Sequence, residues 1–150
     1  MTTLLKKNDI VSLLTGRTPI KINRLLDFYL KENNIAVTKE QWSVLAVLWK
    51  QEGITQQEIA DATFRDRAGI TRLLDNLQKN GLIERQHDKN NRRINLIYLT
   101  PQGREIESQV VEVLHQTIGI ITKDIPESEL NQLRAVFEKI NENINAISND

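Results

Sequence analysis

Between residues 65 and 104 the chain places nine cationic side chains, Arg65, Arg67, Arg72, Lys79, Arg85, Lys89, Arg92, Arg93 and Arg104, against four acids, Asp66, Asp75, Glu84 and Asp88. That segment carries a charge of +5. The other residues hold 11 cations against 16 acids and sum to −5, so the formal net charge of zero is a cancellation. A guanidinium can fork onto a guanine edge or a phosphate, and an ammonium meets phosphate as a point charge. The chemistry open to this segment is therefore polyanion binding. Ordinary surface charge is the competing reading, and counting alone does not separate the two. Candidates for catalysis are weaker. With no cysteine, disulfides, thiolate catalysis, zinc–thiolate sites and cysteine redox sensing all fall away. His87 and His115 are far apart, with no carboxylate at ligand spacing. Nucleophile elbows, P-loops and dinucleotide-binding glycine patterns do not occur. The expectation is a non-enzyme that uses neither metal nor cofactor.

A length of 150 residues suits one domain with a real core, and the apolar set is mostly aliphatic, with only two Trp, two Tyr and three Phe. No apolar run approaches the roughly 18 residues of a membrane-crossing helix. Residues 1–9 lack the long apolar stretch of a secretory signal, and a cytoplasmic location is the default reading.

The elements that must position the cations can be read from caps and periodicity. Thr18-Pro19 reads as an N-cap followed by proline at the first helical position, with Ile22, Leu25, Leu26, Tyr29 and Leu30 at helical spacing and Asn33-Asn34 as the stop. Thr38-Lys39-Glu40-Gln41 and Thr55-Gln56-Gln57-Glu58 fit capping boxes. The first opens a helix with Trp42, Leu45, Ala46, Leu48 and Trp49, closed by Glu52-Gly53. The second opens a short helix with Ile59 and Ala60 inward. After Ala62-Thr63-Phe64-Arg65, where Phe64 is expected to fill space beneath a turn, Asp66 caps a longer helix. That helix carries Ile70, Leu73, Leu74 and Leu77 and stops at Asn80-Gly81. Leu82–Arg85 and Ile94–Leu99 read as the strands of a hairpin with a charged tip. Thr100-Pro101 starts a long helix through Ile106, Val110, Val113, Leu114, Ile118 and Ile121. A last helix follows Pro126, with Leu130, Leu133, Phe137, Ile140, Ile144 and Ile147 apolar.

Short helix, tight turn, longer helix and hairpin, in that order, make a winged helix-turn-helix in a mainly α chain with a small β-wing. The longer helix can enter a major groove about 12 Å wide, while a basic wing follows the backbone or the minor groove. The +5 segment coincides with this unit, which raises double-stranded DNA above plain surface charge. A winged helix that binds a protein partner without specific DNA binding is the alternative.

The stretches Thr55–Ala62, Asp66-Arg67, Ile70–Leu77 and Lys79–Arg85 resemble the MarR family of bacterial transcriptional regulators, as do Asp88–Arg93 and Leu99–Arg104. The resemblance implies one family-type domain over 1–150. Its winged core would span about 35–105, between dimerisation helices at about 8–34 and 101–148. It implies a homodimer on a pseudo-palindromic operator, a repressor role and release by a small aromatic or anionic effector. From the residues alone, the apolar last helix serves equally as an intramolecular core helix.

By matching positions, Arg67, Ala68, Gly69, Thr71 and Arg72 lie at the start of the recognition helix, with Arg65 just before it. Arg72 is the candidate base reader, with phosphate contact or plain solvation as its alternatives. Ala68 and Gly69 stand where relatives often carry Ser or Thr. They allow close backbone approach or contact with a thymine methyl. Thr55 and Gln56 suit phosphate contact or capping alone. In the wing, Arg92 and Arg93 lead, with Lys89 and Asn90 as lesser backbone candidates. Asn91 stands where the family often has Asp, so an acid that would organise the wing is missing. Arg17, Lys21 and Arg24 are candidate anion partners for an effector. Tyr29 and Trp42 are candidate lining residues, for which core packing is the other reading.

Overall fold

The computed structural model describes residues 9–148, so residues 1–8, where no secretory signal is expected, lie outside the described residues. Eight helices and three short strands follow in chain order among them: α1 (Ile10–Thr15), α2 (Arg17–Glu32), α3 (Lys39–Lys50), β1 (Ile54–Thr55), α4 (Gln56–Thr63), α5 (Arg67–Lys79), β2 (Ile83–His87), β3 (Asn95–Leu99), α6 (Pro101–Glu105), α7 (Glu107–Ile121) and α8 (Glu127–Ser148). The chain divides into two compact units, 1–117 and 118–150.

Local chemistry sets most boundaries of the first unit. Thr38 accepts from the Gln41 N–H at 3.2 Å and Gln41 answers on the Thr38 N–H at 3.1 Å, which completes the box that opens α3. Thr55 and Glu58 do the same for α4, at 3.2 and 2.7 Å. Such reciprocal pairs satisfy donors that a first helical turn leaves without intrahelical partners. At the end of α2, Asn33 donates its side-chain amide to the Tyr29 carbonyl at 2.8 Å, and Asn34 turns the chain at φ 58°. Asp27 then accepts from the Lys39 N–H and ties α2 to the start of α3.

Four expectations need correction. The second helix begins at Arg17, not after Thr18, and a short α1 precedes it. Pro19 is its third residue, tolerated because first-turn N–H groups have no i−4 carbonyl to reach. The hairpin is part of a three-stranded antiparallel sheet in the order β1-β3-β2. Ile54 pairs with Ile97 and Thr55 with Leu96, while Ile83 to His87 run against Leu99 to Asn95. The helix after Pro101 is interrupted at Ile106, giving α6 and α7. Phe64 does not lie beneath its turn; it is 96% exposed.

The core of the first unit is aliphatic. Leu26 and Leu30 of α2, Val44, Leu45 and Leu48 of α3, and Ile59 of α4 meet Ile70, Leu74 and Leu77 of α5, Ile97 and Leu99 of β3, and Val110, Val113 and Leu114 of α7. Burying each such side chain stabilises by roughly 1.5–3 kcal/mol relative to exposure. Trp42, Trp49 and Tyr29 pack half-buried against this cluster. In the second unit α8 buries none of its residues, and Leu133, Val136, Phe137, Ile144 and Ile147 are exposed.

The passage from the wing into α6 depends on close contact. Thr100 accepts from the Gly103 N–H at 3.0 Å and donates to the Gly81 carbonyl at 2.6 Å. The Trp49 indole donates to the Gly103 carbonyl at 2.9 Å. A Cβ on Gly103 would stand 2.0 Å from the Leu82 carbonyl oxygen, a backbone atom that cannot swing aside. Gly103→Ala is therefore expected to lower stability by about 2–3 kcal/mol in denaturant titration. Gly119→Ala, where a Cβ meets nothing within 4 Å, should raise it by about 0.5–1 kcal/mol through helix propensity.

Candidate nucleic-acid interface

Helix α5 is the centre of the surface. Asp66 caps it by accepting from the Gly69 N–H at 2.7 Å. A Cβ at position 69 would come within 2.8 Å of that same carboxylate oxygen, so glycine there leaves room for the cap. Ile70, Leu74 and Leu77 are fully buried, which fixes the rotation of the helix. The rotation leaves Ala68 and Arg72 exposed, Arg67 is exposed at the first position of the helix, and Gly69 and Thr71 are half-buried. Thr71 donates to the Arg67 carbonyl at 2.8 Å and accepts from the Gln56 side-chain amide. Gln56 and Thr71 thus lock α4 to α5, and Thr55 serves the capping box.

The wing is organised by its own side chains. Asp88 accepts from the N–H groups of Asn90 and Asn91 at 2.7 and 3.3 Å, and Asn91 accepts from the Arg93 N–H at 3.1 Å. The backbones of Asp88 and Ile94 close the tip at 2.9 Å. Asn91 accepts from the backbone of the tip without an acid at that position. Lys89, Asn90, Arg92 and Arg93 are all exposed there.

Three of the nine cations are engaged in ion pairs within the fold. Arg65 pairs with Glu40 at 2.5 Å and donates to the Ser43 hydroxyl at 3.2 Å, so it braces the turn before α5 against α3. Arg85 pairs with Asp75 at 2.7 Å and donates to Gln78, which fastens β2 to α5. Arg104 grips Glu52 with Nη2 at 2.8 Å and Nε at 3.1 Å. Arg67, Arg72, Lys79, Lys89, Arg92 and Arg93 are exposed and have no ion-pair partner among the described residues. They occupy α5 and the wing tip.

The MarR family model matches residues 37–94, from the loop before α3 to the wing tip. Over 142 aligned residues the chain is 33% identical to the multiple antibiotic resistance protein MarR of Salmonella typhimurium, covering 89% of this chain and 93% of that protein. The chain belongs to the MarR family. It is 35% identical over 104 residues to the HTH-type transcriptional regulator TtmR of Methylorubrum extorquens, which covers 69% of this chain, and it spans about half, 51%, of that relative. Among solved structures it is similar to CouR from Rhodococcus jostii RHA1 bound to p-coumaroyl-CoA, with a TM-score of 0.75 and 26% identity, covering 89% of this chain and 92% of that one. It is likewise similar to a crystal structure of MarR, at TM-score 0.72 and 26% identity, over 84% and 90% of the two chains.

Set within the MarR fold, the remaining candidates separate. Arg17, Lys21 and Arg24 are exposed along α2. Tyr29 and Trp42 lean on the core, Tyr29 with its ring edge-on to Phe28 at 5.3 Å. Surface cavities of about 390, 270 and 180 Å³ are lined by other residues, the largest by Val47, Lys50, Ile54, Glu58 and their neighbours. None of these three cavities brings the five together. Arg85 and Glu52, which hold the wing in place, were not singled out from the sequence. Their partners lie 10 and 52 residues away, beyond any local pattern.

Glu52 anchors the far end of the wing. Besides gripping Arg104, its Oε1 accepts from the Leu99 N–H at 2.7 Å. The Arg104 guanidinium holds the Glu52 carboxyl below the ordinary glutamate range, against the opposing effect of burial, and the Leu99 N–H adds to the lowering. A depressed carboxylate contributes stability that is present above its unfolded value of about 4.3 and lost as the pH falls through the folded one. Glu52→Gln should therefore lower Tm by a few degrees at pH 7. The gap to the parent should narrow as the pH falls below about 4.3 and through the lowered value of the folded state, in thermal unfolding followed across pH.

Proposed function

We propose that this chain is a DNA-binding transcriptional regulator that reads duplex DNA with α5 and steadies it with the wing. The observation that carries the reading is the sorting of the cations. Three fix the framework, and six exposed ones lie on the helix that can enter a major groove and on the tip that can follow a backbone. Roles follow from place. Arg72, exposed on α5, is the base reader, since its fork matches the O6 and N7 acceptors of guanine. Arg67 and Lys79 flank it as phosphate contacts. Arg92 and Arg93 bind backbone or minor groove, with Lys89 and Asn90 beside them. Ala68 leaves the helix free to approach closely. Thr55, Gln56, Gly69, Thr71 and Arg65 act by holding the surface.

The working form in this reading is a cytoplasmic homodimer. The exposed apolar residues of α8 give a second copy a surface to cover, and most soluble oligomers pair on a two-fold axis. Two recognition helices would then sit about 34 Å apart on a pseudo-palindrome. We further assign it a repressor role released by a small aromatic or anionic molecule, a class to which the p-coumaroyl-CoA named with CouR belongs. Release requires the effector to bind the DNA-incompetent arrangement more tightly, and a coupling of about 1–3 kcal/mol shifts DNA affinity about 5–150-fold.

Selection of bound duplexes from random and genomic fragments, followed by anisotropy titration across salt, tests the reading. A preferred sequence with a steep negative log–log salt slope is expected. Arg72→Ala should cost about 1–3 kcal/mol and relax preference at one base pair. Arg92→Ala and Arg93→Ala should weaken all sequences alike and each reduce the slope by about one. Binding with no sequence preference and no salt dependence would overturn it.

A further inference from the structure

The turn joining α4 to α5 carries a side chain that the fold does not use. Phe64 is 96% exposed, more than any other large apolar side chain among the described residues. Its backbone is left-handed, at φ 53° and ψ 41°, a conformation suited to glycine or asparagine and strained for a bulky L-residue. Stability alone disfavours phenylalanine here twice, for its ring in water and for its backbone. The turn is nonetheless firmly held. The Phe64 N–H reaches the Asp61 carbonyl at 3.3 Å, the Arg65 N–H reaches the Ala60 carbonyl at 3.0 Å, and the Arg65 guanidinium binds Glu40 and Ser43. The ring is therefore held out by an ordered turn.

Its place bears on what it meets. Phe64 lies three residues before Arg67, the first residue of α5, and a recognition helix meets base edges with its N-terminal residues. Exposed Arg67 and Arg72 share that end of the helix. Among its exposed neighbours in sequence the only apolar side chains are the methyls of Ala62 and Ala68, set between charged Asp61, Asp66 and Arg67, so the ring lacks the large contiguous apolar surround that a protein interface needs. We propose that Phe64 is a further DNA-contact residue, whose ring packs on the apolar parts that a duplex offers at the groove edge, deoxyribose carbons and a thymine methyl. The contact adds affinity without charge. It rests on the DNA-binding reading above.

The test uses the duplex selected by the parent chain and three variants. Phe64→Asn and Phe64→Gly accept the left-handed backbone but remove the ring, and Phe64→Tyr keeps the ring. The Asn and Gly variants should show a Tm at or above that of the parent, yet bind about tenfold more weakly. Their log–log salt slope should match the parent's, because no phosphate contact is lost. Phe64→Tyr should bind within about twofold of the parent, as a retained ring predicts. Parental affinity in the Asn and Gly variants would overturn the proposal. A shallower slope would overturn it too, since the ring would then act by placing cations. A parent chain without sequence preference would instead sink the DNA-binding reading, so the two failures are distinguishable.

Discussion

Burial of Ile70, Leu74 and Leu77 on one side of α5 determines how that helix is turned, and Ala68 and Arg72 on its exposed side inherit their direction from that choice. Truncating one such side chain costs roughly 2–5 kcal/mol, a large share of the 5–15 kcal/mol that holds a domain folded. The rotation is therefore not adjustable. With those three inward, Ala68 and Arg72 must face out, while Arg67 is exposed because it opens the helix, and the wing must be fastened to a helix whose position is already set. The side-chain ties complete this: Gln56 with Thr71 on one flank, Arg85 with Asp75 and Gln78 on the other.

This division of labour explains the charge pattern. Three acids of the basic segment are engaged: Asp66 caps α5, Asp75 pairs with Arg85, and Asp88 organises the tip. Glu84 accepts from Gln86. The acids thus serve the framework, and the positive charge left over is exposed on α5 and the wing. A total near zero limits diffuse attraction to any polyanion, while the local footprint remains. No cysteine in these 150 residues offers a thiol for oxidation.

What could be read from the sequence is what is decided locally. Thr38, Thr55, Asp66 and Thr100 announce helix starts because a cap and its partner lie three residues apart. The inward face of α5 shows in its periodicity. β1 was hidden because two residues, Ile54 and Thr55, become a strand only by meeting Ile97 and Leu96 some forty positions on. The pairing of Arg65 with Glu40 shows in no local pattern, because Glu40 belongs to another helix. Phe64 was expected inside because it is apolar, yet a left-handed residue at the end of α4 points its side chain away from the packed layer. At the wing tip Asn91, standing where the family often has Asp, accepts a backbone bond that either side chain can accept.

Chemical footprinting of the chain on its preferred duplex probes the arrangement itself. Guanine N7 methylation, a major-groove lesion, should block binding within two half-sites about one helical turn apart, and hydroxyl-radical protection of the backbone should extend outward from each where the wings lie. Protection confined to backbone with no interference from major-groove methylation would contradict the account, because α5 would then not be the element that reads the DNA.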